Sequence, residues 1–190
     1  MIVVEGPDGA GKTHLVQSIR QHFPDLPLAP KAMSSDISPN VNMKTYIEAW
    51  VGPARPSYAL FDRFALISGP LYAPILDDKY QLNIYSNIDW MVQQHSRFYG
   101  SVRPLVIYCL PPVSVVRDNV RNDSDNAKAA PYIERIYAAY VNRAAMDAGY
   151  THNLRYDYTE GHTVDKPTPL ARVLARIEAT LDNWKKGYVR

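Results

Sequence analysis

The sequence of 190 residues contains one cysteine, Cys109, which excludes an internal disulfide framework. It lies in Pro104-Leu105-Val106-Ile107-Tyr108-Cys109-Leu110, a strand-like run in which a buried, inert thiol is expected. The five histidines (His14, His22, His95, His152, His162) show no H-x-H or H-E-x-x-H spacing, so a zinc centre is not expected. No apolar run approaches the roughly 18 residues of a membrane helix, and the opening apolar strand predicts a chain with no leader, cytoplasmic and without a membrane partner. An excess of one charge is also lacking. The 21 basic and 19 acidic residues leave +2, too balanced for a general nucleic-acid surface, so anion binding must be local. There is no internal repeat and no low-complexity segment.

What is present reads as an ordinary globular composition, 46% hydrophobic and 21% charged, and its length predicts one domain over 1–190. Only nine glycines occur, and three of them fall in Gly6-Pro7-Asp8-Gly9-Ala10-Gly11-Lys12-Thr13. That stretch fits G-x-x-x-x-G-K-[ST] in full, with the apolar run Met1-Ile2-Val3-Val4-Glu5 before it and a helical pattern behind. Glycines at 6, 9 and 11 permit turns that point successive amide N–H groups at one anion, and the helix that follows adds its unpaired N-terminal donors. Gly6, Gly9, Ala10, Gly11, Lys12, Thr13 and His14 are therefore the candidate phosphate-binding residues, with Lys12 along the β- and γ-phosphates and the Thr13 hydroxyl on a magnesium ion.

Along the chain, Leu15, Val16, Ile19 and Phe23 recur at helical spacing until Pro24. A short strand near Leu26–Ala29, a helix over Met43–Val51 and a strand over Ser57–Phe61 follow. Phe64–Leu76 is expected to be helical but broken by Gly69-Pro70 and Pro74. Tyr85–Tyr99 reads as a helix whose stripe is Ile84, Ile88, Met91, Val92 and Phe98 or Tyr99. After the Pro104–Leu110 strand come a helix over Val113–Arg121, a polar lid near 121–131 and a helix from Pro131 to Gly149. A last strand over Leu154–Thr159 and a Thr168-capped helix ending near Gly187 complete the chain. Strands alternating with amphipathic helices predict an α/β fold with helices on both faces of a parallel sheet. Ligands of such sheets bind at the carboxyl ends of the strands, where the glycine-rich loop and Asp62-Arg63 both fall.

Asp62 closes the apolar run Ala59-Leu60-Phe61 and is the second candidate magnesium ligand. Arg63 stands where hydrolases place a carboxylate for activating water, which favours a phosphoryl acceptor over water. Arg117 and Arg121 share a helix face and suit closure over the transferring group; the competing reading is a solvated face paired to Asp118 or Asp125. Lys128 is a weaker lid candidate. Asp8, inside the loop, would meet the attacking end of the acceptor or else brace the loop by an Asx turn. Trp50, Phe64, Tyr72, Trp90 and Tyr99 are candidates for holding a base, and His95 is read as a packed or cleft-lining residue.

The loop with Asp8 in it, Phe61-Asp62-Arg63-Phe64-Ala65 with Ser68-Gly69 behind, and Leu110-Pro111-Pro112 opening a helix with Arg117 together resemble thymidylate kinase and its phage-type nucleotide kinase relatives. These landmarks span about the first three quarters of the chain. The resemblance implies a P-loop NTPase with a five-stranded parallel sheet, ATP as donor, a lid over the phosphates and, in many members, a homodimer. It also implies catalytic roles for Lys12, Asp8, Arg63, Arg117 and Arg121. By analogy Asp8 contacts the acceptor's 3′-hydroxyl side, Arg63 its phosphate and Phe64 the pocket wall, with Tyr72, Trp90 and His95 nearby. Two departures stand out. Pro30-Lys31-Ala32 replaces the family's R-x-P motif, and Lys128 is the only base between Asn122 and Ala130. The expected reaction is phosphoryl transfer from ATP to a deoxynucleoside monophosphate, dTMP or a modified thymidine or uridine nucleotide favoured. The alternatives are a kinase of hydroxymethylated pyrimidines in DNA, which the charge disfavours, and a nucleotide hydrolase or switch, which Arg63 and the lack of N-K-x-D disfavour.

Overall fold

Ile2-Val3-Val4-Glu5 is apolar on both sides through Val4 and buried throughout, as the central strand of a doubly covered parallel sheet must be. The computed structural model describes residues 1–30, 43–52, 58–77, 85–123, 128–149, 152–161, 163 and 166–186. In it β1 (Ile2–Glu5) pairs in parallel with β2 (Leu60–Asp62) on one side and β3 (Leu105–Cys109) on the other. β4 (His152–Tyr156) adds to β3, giving the order β2-β1-β3-β4.

The expected five strands are therefore four among the described residues. The Leu26–Ala29 segment reaches the free edge of β2 but makes only an isolated parallel bridge, Leu28 to Leu60. Leu60 N donates to Pro27 O and Ala29 N to Leu60 O, each at 2.8 Å. One step earlier Pro27 has no N–H to give, so the ladder stops there. β4 begins two residues before the expected strand and ends at Tyr156, because the Asp157 carboxylate accepts from Thr159 N (2.9 Å) and Thr159 Oγ1 (2.7 Å) and turns the chain.

Alternation along the strands divides the core in two. Ile2, Val4, Leu60, Leu105 and Ile107 pack with α1 (Lys12–His22), whose Leu15 and Ile19 are buried as the spacing predicts. Val3, Phe61, Val106 and Tyr108 pack on the other face against α2 (Met43–Val51) and α3 (Ala65–Leu76). α3 runs through Pro70 and Pro74 without the expected break. Ala65–Gly69, Tyr72 and Ala73 are buried, and that packing overrides the lost backbone bonds. Gly69 also leaves room for Tyr85, whose hydroxyl donates to Ala65 O at 2.9 Å.

α4 (Ile88–Ser96) is capped by Asn87, whose side chain accepts from Trp90 N, and continues as a π-helical turn, Arg97–Val102. Its expected apolar stripe holds in part: Phe98 is buried and Met91 and Tyr99 pack on the core, whereas Ile88 and Val92 are 73% and 63% exposed and Gln94 is buried instead. The aromatic residues have more area to bury than Ile88 and Val92, and their side turns inward. Ile84 lies outside the described residues. α5 (Val113–Arg121) buries Val116 and Val120 as expected. A 3-10 turn, Ala130–Tyr132, leads into α6 (Ile133–Asp147), and positions 124–127 of the expected lid lie outside the described residues. α7 (Pro169–Lys185) starts at Thr168, whose Oγ1 accepts from Ala171 N. No described helix is long and apolar enough to cross a membrane.

Candidate active site

Where β1 ends, the chain turns through Gly6 (φ 145°) and Gly9 (φ 73°), conformations that a side chain resists. Space forbids one as well. A Cβ on Gly6 would stand 2.5 Å from Cys109 O at the end of β3, and one on Gly9 2.8 Å from Val116 O of α5. The loop is thus seated between two neighbours and opens onto the N-terminus of α1. That helix has no acidic residue in its first turn, which leaves its donors and dipole to an anion. Ala10 is buried beneath the loop, and Thr13 and His14 are exposed on the first helical turn.

Lys12 is buried and donates from Nζ to Pro7 O at 2.6 Å, inside its own loop. Burial, then the charge of Arg63, lower its pKa to about 8 against the opposing pull of Asp8, Cys109 and Asp62. A phosphate is a stronger acceptor than a peptide carbonyl and would draw the ammonium from Pro7. Cys109 itself is buried, with burial pushing its thiol up to about 12, as befits an inert core residue.

Asp8, Arg63 and Tyr72 come together as one cluster. Arg63 Nη2 donates to Asp8 Oδ1 and to Tyr72 OH (3.0 Å), and Tyr72 OH donates to Asp8 Oδ2 (3.1 Å). The guanidinium also lies 5.0 Å from the centre of the Tyr72 ring. Burial raises the Asp8 carboxyl, but Arg63 and Lys12 outweigh it and hold Asp8 below the ordinary aspartate value. Asp8 is ionised at neutral pH. Arg63 Nε is buried without a partner, a donor left over after the cluster is made.

Arg63 has a left-handed backbone, φ 69°, rare for a residue with a Cβ. Its N–H donates to Val4 O (3.0 Å), and the next amide, Phe64 N, donates to Glu5 Oε1 (2.7 Å). Glu5 Oε2 accepts from Tyr140 OH of α6 (2.9 Å). Burial raises Glu5 to about 7, against the lowering effects of the Phe64 amide, Arg63, Tyr140 and Lys12.

Other sequence candidates are placed differently. Phe64 is fully buried, tilted edge-on to Phe61 and stacked at 5.2 Å on Phe98, so its ring belongs to the core. Trp90 donates from Nε1 to Glu48 Oε1 at 2.7 Å, under Lys44. His95 stacks on Tyr99 at 5.6 Å, beside a separate network in which Asp147 accepts from Tyr99 and Tyr108 and pairs with Arg143. Burial, then Arg143, lower His95 to about 4 against the pull of Asp147. Arg117 donates to Glu134 Oε1 at 3.1 Å across α5 and α6, whereas Arg121 and Lys128 are exposed.

Among the described residues no three His, Cys, Asp or Glu side chains gather as a metal cage. Magnesium does not need one, being held by one or two protein oxygens together with substrate phosphates. Thr13 is exposed on the first turn of α1, and Asp62, the last residue of β2, acts on the charge of Lys12.

Four residues with polar roles in the structure escaped the sequence reading. Asn119 Nδ2 donates to Gly9 O (2.8 Å) and to Tyr158 OH (3.0 Å), and the Tyr158 ring lies against Gly11. Gln94 is fully buried, with Oε1 unpartnered and Nε2 reaching only its neighbour Gln93 at 3.3 Å. Glu5 did carry a signal, an acidic residue ending an otherwise apolar strand.

No family model matches the chain, and no curated protein matches it by sequence. Solved structures do. The YorR protein of Bacillus subtilis, in complex with phosphorylated GDP, matches with a TM-score of 0.62 at 17% identity, over 96% of this chain and 95% of its own. Deoxyadenosine kinase of M. mycoides with bound dCTP matches with a TM-score of 0.58 at 16% identity, over 94% of this chain and 100% of its own. The same kinase with bound dATP gives 0.55 at 14% identity, over 95% of this chain and 98% of its own. This chain accordingly shares the fold of these proteins, a parallel sheet covered by helices on both faces.

Proposed function

We propose that the protein transfers the γ-phosphoryl group of ATP to a deoxynucleoside monophosphate, with dTMP or a modified thymidine or uridine nucleotide as the favoured acceptor. The observation that carries this reading is the contact between Asp8 of the phosphate loop and Arg63 at the end of β2, which sets a donor site against a cationic acceptor group. The unpartnered Nε of Arg63 suits the acceptor's phosphate. Gly6–Thr13 and Lys12 hold the donor's phosphates. A magnesium ion held by Thr13 and Asp62 would neutralise charge on the β- and γ-phosphates. An acceptor phosphate oxygen then attacks the γ-phosphorus as the bond to the β-phosphate oxygen breaks, and ADP leaves. Positioning and charge neutralisation do most of the work, and Arg117 and Arg121 take part only if α5 and the segment after it close over the site. Tyr72, bonded to both Asp8 and Arg63, is assigned to the sugar side.

One observation favours a second reading, a deoxynucleoside acceptor. Asp8 already matches the charge of Arg63, so less net positive charge remains for an acceptor phosphate, and an ionised Asp8 could take the proton of a 5′-hydroxyl. A coupled assay with MgATP and a panel of deoxynucleosides and their monophosphates separates the two. Acceptor-dependent ADP release with a monophosphate is expected. Release with nucleosides alone moves the assignment to the second reading, and phosphate release from ATP without any acceptor would overturn both.

A further inference from the structure

Glu5 lies outside every role assigned so far, yet it is fully buried and both of its carboxylate oxygens are engaged. One oxygen holds the backbone N–H of Phe64, the residue after the left-handed Arg63, while the main chain of Val4 holds the N–H of Arg63 itself. Both anchors sit on the last two residues of β1, immediately before Gly6. A left-handed non-glycine residue persists only where its surroundings over-determine it, and here those surroundings are the strand that delivers the phosphate loop. The other oxygen holds Tyr140 of α6, whose ring packs edge-on at 6.1 Å against Tyr72, and the Tyr72 hydroxyl bonds both Arg63 and Asp8. Glu5, Arg63, Tyr72 and Tyr140 thus close a ring of contacts around the acceptor arginine.

We infer that Glu5 is a positioning residue, fixing the left-handed turn at Arg63 so that the guanidinium faces Asp8 and the acceptor across the phosphate loop. The inference rests on the reading of Arg63 as the acceptor-binding group. What matters is the pair of hydrogen bonds, so a side chain that keeps both should work and an apolar one of similar size should not.

Glu5→Leu is expected to raise the acceptor KM about tenfold or more while leaving the Kd for ATP unchanged, since misplacing a binding group by about 1 Å can cost more than that. Glu5→Gln, able to accept from Phe64 N and donate to Tyr140 OH, is expected to restore most of the loss. Equal losses for donor and acceptor, or no loss, would overturn the inference. If Glu5→Leu fails to fold, Tyr140→Phe decides: it removes one contact of the ring and is expected to raise the acceptor KM severalfold, and an unchanged KM would overturn. Crystal structures of Glu5→Leu, or of Tyr140→Phe in its place, read the turn without any substrate. Loss of the Arg63–Asp8 bond is expected in them. If that bond and the left-handed Arg63 persist, the positioning role fails whatever the acceptor; if they are lost while no acceptor is phosphorylated by the wild type, it is the kinase reading that fails.

Discussion

Asn119 sits on the exposed side of α5, yet its amide donates to the backbone of the phosphate loop at Gly9. Together with Tyr158, which it also bonds, it braces Gly9 and Gly11 from outside. Each such bond is worth about 1 kcal/mol net, a factor of about five in an equilibrium. Asn119→Ala is therefore expected to weaken ATP binding about fivefold, read by calorimetry, with the acceptor KM unchanged in the coupled assay. An unaltered Kd for ATP would show that the loop needs no such brace. The asymmetry separates donor from acceptor at the level of single side chains, since Asn119 and Tyr158 hold Gly9 and Gly11 whereas Arg63 and Tyr72 hold Asp8.

At the scale of elements, α4 shows how a helix can be recognised while its orientation is misjudged. Its expected stripe joined Ile88, Met91 and Val92 to Phe98 or Tyr99 at helical spacing. Packing kept the Phe98 end of that stripe, stacked on Phe64, and buried Gln94 in place of Ile88 and Val92. Urea denaturation distinguishes the exposed positions from the buried ones. Val92→Ser is expected within about 0.5 kcal/mol of wild type, as for exposed positions generally. Phe98→Ala is expected to cost about 3–5 kcal/mol, as for buried aromatics. A large loss at Val92 would mean that its face is covered in solution. α3 teaches a related lesson, because its prolines predict a break that the buried face of the helix does not permit.

For the whole molecule, two buried groups set opposing pH dependences. Glu5 is raised from 4.5 to about 7, so between those values the folded chain holds a proton that the unfolded chain has lost, and stability falls as pH rises. His95 is lowered from 6.5 to about 4, so between those values the unfolded chain holds the extra proton, and stability rises with pH. Each slope reaches at most about 1.4 kcal/mol per pH unit, and over the shared range they nearly cancel. Thermal melts are expected to be flat there for the wild type, to rise with pH in Glu5→Gln and to fall with pH in His95→Gln. Matching profiles for both variants would refute the two assignments. Burial of Lys12 adds a cost that is relieved as pH rises above about 8.

Local chemistry carried much of this in the sequence. Glycine spacing and the Lys12-Thr13 pair specify a phosphate loop wherever a strand feeds them, because backbone freedom and helix-end donors are properties of neighbouring residues. The parallel sheet followed from apolar strands alternating with amphipathic helices, and the Thr168 cap from one hydroxyl before Pro169. The fifth strand failed on Pro27, a residue visible from the start but decisive only once its partner edge was known. Asp8 and Arg63 were singled out separately, 55 positions apart; that they bond to each other and to Tyr72 is a fact of the fold. The contacts from Asn119 to Gly9 and from Tyr140 to Glu5 span 110 and 135 positions, distances over which no periodicity or motif carries information. The sequence by itself determined a glycine-rich loop at the end of β1 followed by Lys12 at the start of a helix. Which side chains brace that loop, and which hold Arg63 opposite it, was decided only when helices on both faces of the sheet had packed, because those choices depend on shape complementarity between segments that are strangers in the chain.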